Sequence, residues 1–212
     1  MAIAFDAISY GESGTLTTTF SHTVTGSNPI IFVGVNVNST SDKITGITYN
    51  GVAMTRVVLT AAFGATRAVL YVLANPSTGA NNVVVTSSDT TYRWCSAASY
   101  TDANATGQPD ASSSTTASGT TVTGTLTTIA NNCWTIGFFY NNANTNFSAG
   151  ASTTLRGSGF FTFLDSNAAK TPAGSVSIVG NWTNSNTGAV ALASIAPFVA
   201  SARSRLLLLG VS

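Results

Sequence analysis

Few side chains in this sequence could carry a reaction. One histidine, His22, stands between Phe20 and Val24 on an apolar stripe. A nucleophilic triad needs a serine or cysteine beside the imidazole and an acid to orient it. The sequence contains no GxSxG elbow and no papain-like cysteine context, so His22 reads as a structural histidine held by a hydrogen bond. A catalytic zinc takes three protein ligands, usually with histidine among them, and one histidine with two separate cysteines does not make such a set. Cys95 and Cys133 each lie beside a tryptophan in a strand-like segment. They read either as buried free thiols or as one disulfide between neighbouring strands.

The seven acids are Asp6, Glu12, Asp42, Asp89, Asp102, Asp110 and Asp165. A glycosidase pair would need two of them facing each other at roughly 5 to 9.5 Å. Most fall in turn-like sequence, where Asp binds its own local backbone. Asp102, Asn104 and Asp110 put hard oxygen ligands of the kind calcium prefers on one loop, without EF-hand spacing. The expectation is a chain that is not an enzyme and carries no cofactor and no metal. The aromatic residues leave a binding role open: Trp182 and the Phe160, Phe161, Phe163 group either stack on a sugar ring or are buried. Strict alternation puts Phe161 and Phe163 on one face and Phe160 on the other.

Charged residues make up 7% of the 212 residues and the net charge is +1, against roughly 25% charged residues in an average domain. The eight basic residues cluster only at Arg203 and Arg205. Binding phosphates needs many clustered cations, so nucleic acid is not an expected partner. Low net charge also means little self-repulsion, which suits packing against copies or a partner. Met1 to Tyr10 carries Asp6 and no basic residue, unlike a secretory signal. No run approaches the roughly 20 apolar residues that cross a bilayer. The expected setting is a soluble protein made in a cytoplasm, away from membranes.

The elements that must position these groups are strands. Period-two alternation dominates, and no helical stripe of useful length occurs. Phe20, His22 and Val24 alternate with threonine; Ile31, Val33, Val35 and Val37 share one face of the next strand. Asn50-Gly51 is a hairpin signal between Ile47-Tyr49 and Val52-Met54. Arg67 to Leu73 is apolar on both faces, as in a strand buried on both sides. Asn75 to Asn82 reads as a turn cluster before a strand at Val83 to Thr86. Tyr92 to Tyr100 and Cys133 to Tyr140 read as central strands, with Trp134, Ile136, Phe138 and Tyr140 on one face of the second. Strands at Val122–Thr128, Thr154–Arg156, Phe160–Leu164, Val176–Trp182 and Val190–Ile195 complete about a dozen short ones. The fold class is all-β, an antiparallel β-sandwich of jelly-roll type.

Asp102 to Gly119 is the longest polar connection and is expected as a loop at one end of the sandwich. Pro197 ends the last strand near Phe198, so the domain spans residues 1–198 and residues 199–212 form a C-terminal arm. The arm carries Arg203, Arg205, Leu206, Leu207, Leu208 and Leu209 as candidate interface residues. It reads as an edge strand folded back on its own sheet or as an arm docked on a neighbouring subunit.

Four stretches carry a resemblance: ITYNGVAMTRV (Ile47 to Val57), VLYVLANPSTGANNVVVTSS (Val69 to Ser88), CSAASYTDANATGQPDASSS (Cys95 to Ser114) and LTTIANNCWTIGFF (Leu126 to Phe139). Together they resemble a jelly-roll-type domain of tailed-bacteriophage structural proteins and related bacterial surface proteins, over about Ala2 to Phe198. The resemblance implies a virion component, with a capsid decoration (cement) protein as the version that suits a single domain with an arm. Its implied partners are the major capsid protein and copies of itself, in a trimer, at the capsid surface after synthesis in the host cytoplasm. The alternative is a glycan-binding or host-adhesion module of a phage tail or fibre, with an exposed aromatic near Asp102 to Gly119. No catalytic residues come with the resemblance.

Overall fold

Threonine alternating with Phe20, His22 and Val24 favours a half-buried strand, because successive side chains point to opposite faces. In the computed structural model, which describes residues 2–200, every second side chain of that segment is buried. The described residues form fifteen strands and no helix. In chain order these are β1 (Ala4–Ser13), β2 (Thr17–Val24), β3 (Ile30–Val37), β4 (Ile44–Tyr49) and β5 (Val52–Ala53). Then come β6 (Thr55–Leu59), β7 (Arg67–Ala74), β8 (Gly79–Ser87), β9 (Arg93–Thr101) and β10 (Ala111–Thr127). The last are β11 (Trp134–Asn141), β12 (Ser148–Ala149), β13 (Thr154–Leu155), β14 (Phe161–Asp165) and β15 (Ser175–Ile195). All pair antiparallel.

They build three sheets. An outer sheet runs β2-β8-β4-β5, a middle sheet β1-β9-β3-β7-β6, and a third sheet β10-β15-β11-β14-β13 with β12 attached to β15. The expected sandwich is present, and it has one layer more than two facing sheets. The middle sheet is buried on both sides. Along β3, Ile31, Val33, Val35 and Val37 pack toward the outer sheet with Tyr49, Val83 and Val85. Ile30 and Phe32 pack toward the third sheet with Phe138, Phe163 and Ala191. This double burial explains why β3 and β7 are apolar at nearly every position. Each fully buried Phe or Ile contributes about 1.5–3 kcal/mol.

The Asn50-Gly51 hairpin forms as expected, with φ of 48° and 76° at the two residues, both in the left-handed region that a type I′ turn requires. β8 starts at Gly79, earlier than the turn cluster suggested, because Gly79 to Asn82 pair with Val24 to Ser21 of β2.

Two expectations are corrected at β10 and β15. The segment after Asp110 is not a loop: Ala111 to Gly119 pairs with Ser194 to Asn186. Serine and threonine there sit on an edge strand whose apolar partner, β15, supplies the burial. β15 also joins the two strands expected at Val176–Trp182 and Val190–Ile195 into one. Between Gly119 and Thr121 the register jumps from Asn186 to Asn181, and Gly119 (φ 125°) and Asn184 (φ 58°) mark the bend. Beyond it the ribbon folds back over the outer face of the third sheet. There Val122, Leu126, Ile178 and Trp182 cover Phe139, Leu164, Val190 and Leu192. Small residues permit this approach: a Cβ at Gly188 would lie 2.7 Å from the Trp182 ring, and one at Gly124 2.5 Å from Leu192.

Phe160 is also corrected. It precedes β14 and packs with Phe161 against the same core, the rings 5.1 Å apart, so strand alternation does not govern it.

Candidate functional site

His22 sits in a hydrogen-bonded relay between the outer and middle sheets. Ser99 Oγ donates to Asp6 Oδ2 at 2.6 Å, so at its 3.0 Å contact with His22 it accepts from Nε2–H. The imidazole Nδ1 is then the acceptor for the Ser9 hydroxyl at 2.8 Å. Asp6 also receives the Thr25 backbone N–H at 2.9 Å and the Thr25 hydroxyl. The order Ser9–His22–Ser99–Asp6 has the members of a nucleophile relay, with a serine interposed before the acid. Its electrostatics oppose that use. His22 is 2% exposed, and burial pushes its pKa down to about 4 against the pull of Asp6. Such a ring does not hold a proton taken from a serine at neutral pH. The expectation of a structural, hydrogen-bonded His22 matches this arrangement.

Several of the other ionisable groups hold the framework, while the buried Asp102 Oδ1 has no partner among the described residues. Asp42 receives the Ile44 N–H and pairs with Arg56 at 2.7 Å. Asp89 receives the Thr91 N–H and pairs with Lys43 at 2.9 Å. Asp110 receives the N–H groups of Ile129 and Ala130 at 2.7 and 2.9 Å, so its oxygens do not stand free beside Asp102 and Asn104 for a cation. Asp165 caps its turn, receiving the Asn167 N–H at 2.9 Å, and also serves the core. It ends β14 fully buried, in a bidentate pair with Arg156 at 2.7 and 3.0 Å, and takes the Tyr100 hydroxyl at 2.9 Å. Cys95 and Cys133 are free and buried, and burial raises both thiols to about 12. The disulfide alternative is thereby removed. Arg93 enters the layer beside Cys95 fully buried, its guanidinium nitrogens without a hydrogen-bond partner among the described residues, and burial lowers its pKa.

Two recesses bear on binding. One, of about 410 Å³, is mostly apolar and lined by Ala2, Ile3, Pro197, Phe198 and Val199. It lies beside the last described residues, next to the bond from Phe198 N–H to Asp102 O at 2.7 Å. The other, of about 440 Å³, has Trp94 and Tyr140 with Asn38, Asn142, Asn186 and Thr187 around it. Ala111 to Gly119, half of the segment from Asp102 to Gly119, lies in β10, and Trp182 is 5% exposed under the folded ribbon. The second recess escaped the sequence reading. Its signal was the run Asn141-Asn142-Ala143-Asn144-Thr145-Asn146 directly after an apolar strand, with Trp94 one sheet away.

The candidate interface residues Arg203, Arg205, Leu206, Leu207, Leu208 and Leu209 lie outside the described residues. No protein-family model and no curated protein matches the chain.

Proposed function

We propose that the chain is a non-enzymatic structural protein of a virion, a capsid decoration protein of jelly-roll type that stabilises a phage head by contacts with the major capsid protein and with its own copies in a trimer. The observation that carries this reading is the way its ionisable groups are used. His22, Asp6, Asp42, Asp89, Asp110 and Asp165 each bind loops or strands of the same chain. Much of what faces outward along the strands is short, uncharged and suited to close packing. β10, for example, presents Ser112, Thr116 and Ser118 along an edge strand.

Val199 and Ala200, the last described residues before the rest of the arm, line the recess with Ala2, Ile3, Pro197 and Phe198. In this reading Leu206 to Leu209 dock on a neighbouring subunit. Affinity comes from apolar burial at roughly 25 cal/mol per Å², multiplied by many symmetric copies.

The test is particle incorporation. Deleting residues 199–212 abolishes recovery of the chain with purified particles while its circular dichroism and melting stay those of the full chain. A truncated chain that decorates particles at full occupancy removes the role of the arm. A full-length chain that never co-purifies with particles removes the virion reading.

A further inference from the structure

We propose that the recess between Trp94, Tyr140 and the asparagines around them is a binding site for a neutral sugar ring.

The site is built by the middle and third sheets together. Trp94 projects from β9 and Tyr140 from β11, with ring centroids 5.5 Å apart. Tyr92 at 5.0 Å and Phe160 at 5.8 Å hold the indole in place. Asn142 fixes the wall: its Nδ2 donates to Phe63 O at 3.1 Å and to Thr187 Oγ1 at 2.7 Å. Gly64, at φ 58°, forms part of the lining, and a Cβ there would stand 2.8 Å from the Asn142 amide. Only glycine leaves this wall its shape.

The polar groups in and behind the recess have capacity left over. Tyr140 is 2% exposed, lines the recess, and its hydroxyl has no hydrogen-bond partner among the described residues. Asn36, beside Trp94 in the β3–β9 ladder, is fully buried with both amide atoms unpartnered. The Asn38 amide is likewise without a partner among the described residues, at the rim. The Tyr140 hydroxyl opens on the recess, where a ligand can take its bond, and the Asn36 amide behind Trp94 is buried without the partner that such groups nearly always have in folded proteins.

The chemistry narrows the ligand. No acidic or basic side chain lines the recess, which disfavours phosphates, carboxylates and amines. Carboxamides pair one acceptor with two donors and so match adjacent hydroxyls on a pyranose, each of which both donates and accepts. The aromatic edge offers a surface to the C–H face of the same ring. A volume of about 440 Å³ lies within the roughly 300–1,000 Å³ of small-molecule sites. An open recess with a few neutral hydrogen bonds gives weak affinity, with a Kd on the order of 1 mM. Many copies on one particle would raise the avidity.

The test follows the Trp94 indole N–H resonance, assigned with Trp94→Phe, as methyl glycosides of glucose, galactose, mannose and N-acetylglucosamine are added to the full chain. At least one glycoside is expected to shift that resonance saturably, while sialic acid does not. Tyr140→Phe and Asn38→Ala, each checked by its melting curve, are expected to weaken the binding about three- to tenfold. Absence of any saturable shift at millimolar glycoside overturns the proposal, as does binding that both folded variants retain unchanged. A Trp94 resonance that responds to protein concentration or to capsid particles, and not to sugars, overturns it in favour of a subunit contact.

Discussion

A Cβ placed on Gly34 would stand 2.1 Å from Cγ of Phe138, so the middle and third sheets meet where only a hydrogen atom fits. Gly34 is in the central strand of the middle sheet and Phe138 in that of the third. Gly34→Ala should lower stability by about 1–3 kcal/mol through overpacking. Phe138→Ala should lower it by about 3–5 kcal/mol through a cavity. In the double variant the new methyl occupies part of the space vacated by the ring. Urea denaturation should therefore give a combined loss smaller than the sum. Strict additivity would mean the two positions are not in contact.

The Arg156–Asp165 pair ties the third sheet to β9 through Tyr100. Asp165 is fully buried and Arg156 lies over the Phe5 ring at 4.7 Å. Asp165→Asn should cost about 3–5 kcal/mol, because it leaves a largely covered guanidinium without its counter-charge. Tyr100→Phe removes one hydrogen bond to a charged group and should cost about 1.5–3 kcal/mol. Thermal melts of the two variants give the ranking, and a Tyr100→Phe loss as large as that of Asp165→Asn would contradict it.

Strands were legible wherever burial is written into a single segment. β2 alternates and β3 is apolar at nearly every position, and each reads correctly because β3 is buried on both faces and β2 on one. Ser112 to Thr116 failed because the burial that makes it a strand belongs to its partner, Ala189 to Ala193. The bend opposite Asn184 failed for a related reason. It depends on Trp182 reaching Gly188 across the fold, a contact no local pattern contains. His22 was legible as a structural residue, since an apolar stripe leaves a histidine little else to do. The Trp94–Tyr140 recess was not, because its two aromatics come from different sheets.

Acid should destabilise the protein in a window set by His22. Its folded pKa of about 4 lies below the ordinary histidine value of 6.5, so between those values the unfolded chain binds the extra proton. The stabilisation is complete above about pH 6.5 and disappears as pH falls toward 4, about 3 kcal/mol in all. Asp6 acts lower. Burial alone would raise its pKa, but hydrogen bonds from Ser99 and Thr25, with His22 nearby, hold it below the usual value. Its contribution is present above about pH 3.8 and is lost as pH falls through the lowered pKa. Urea midpoints from pH 7 to 4 should drop in the natural protein and stay flatter in His22→Gln. An equal slope in both would assign the acid sensitivity elsewhere.

Ser9 offers the sharpest check on the non-catalytic reading proposed for this chain. Its hydroxyl touches His22 Nδ1 at 2.8 Å, the contact that activates a nucleophile when the ring can accept and keep the proton. Here the ring is buried and its pKa is depressed to about 4. Its other nitrogen meets a serine that has already committed its own proton to Asp6. A fluorophosphonate probe should therefore leave the native chain unlabelled at neutral pH, with Ser9→Ala giving the same blank result. Stoichiometric labelling that vanishes in Ser9→Ala and in His22→Gln would establish an activated serine, and the reading of this chain as a non-catalytic building part would fall with it.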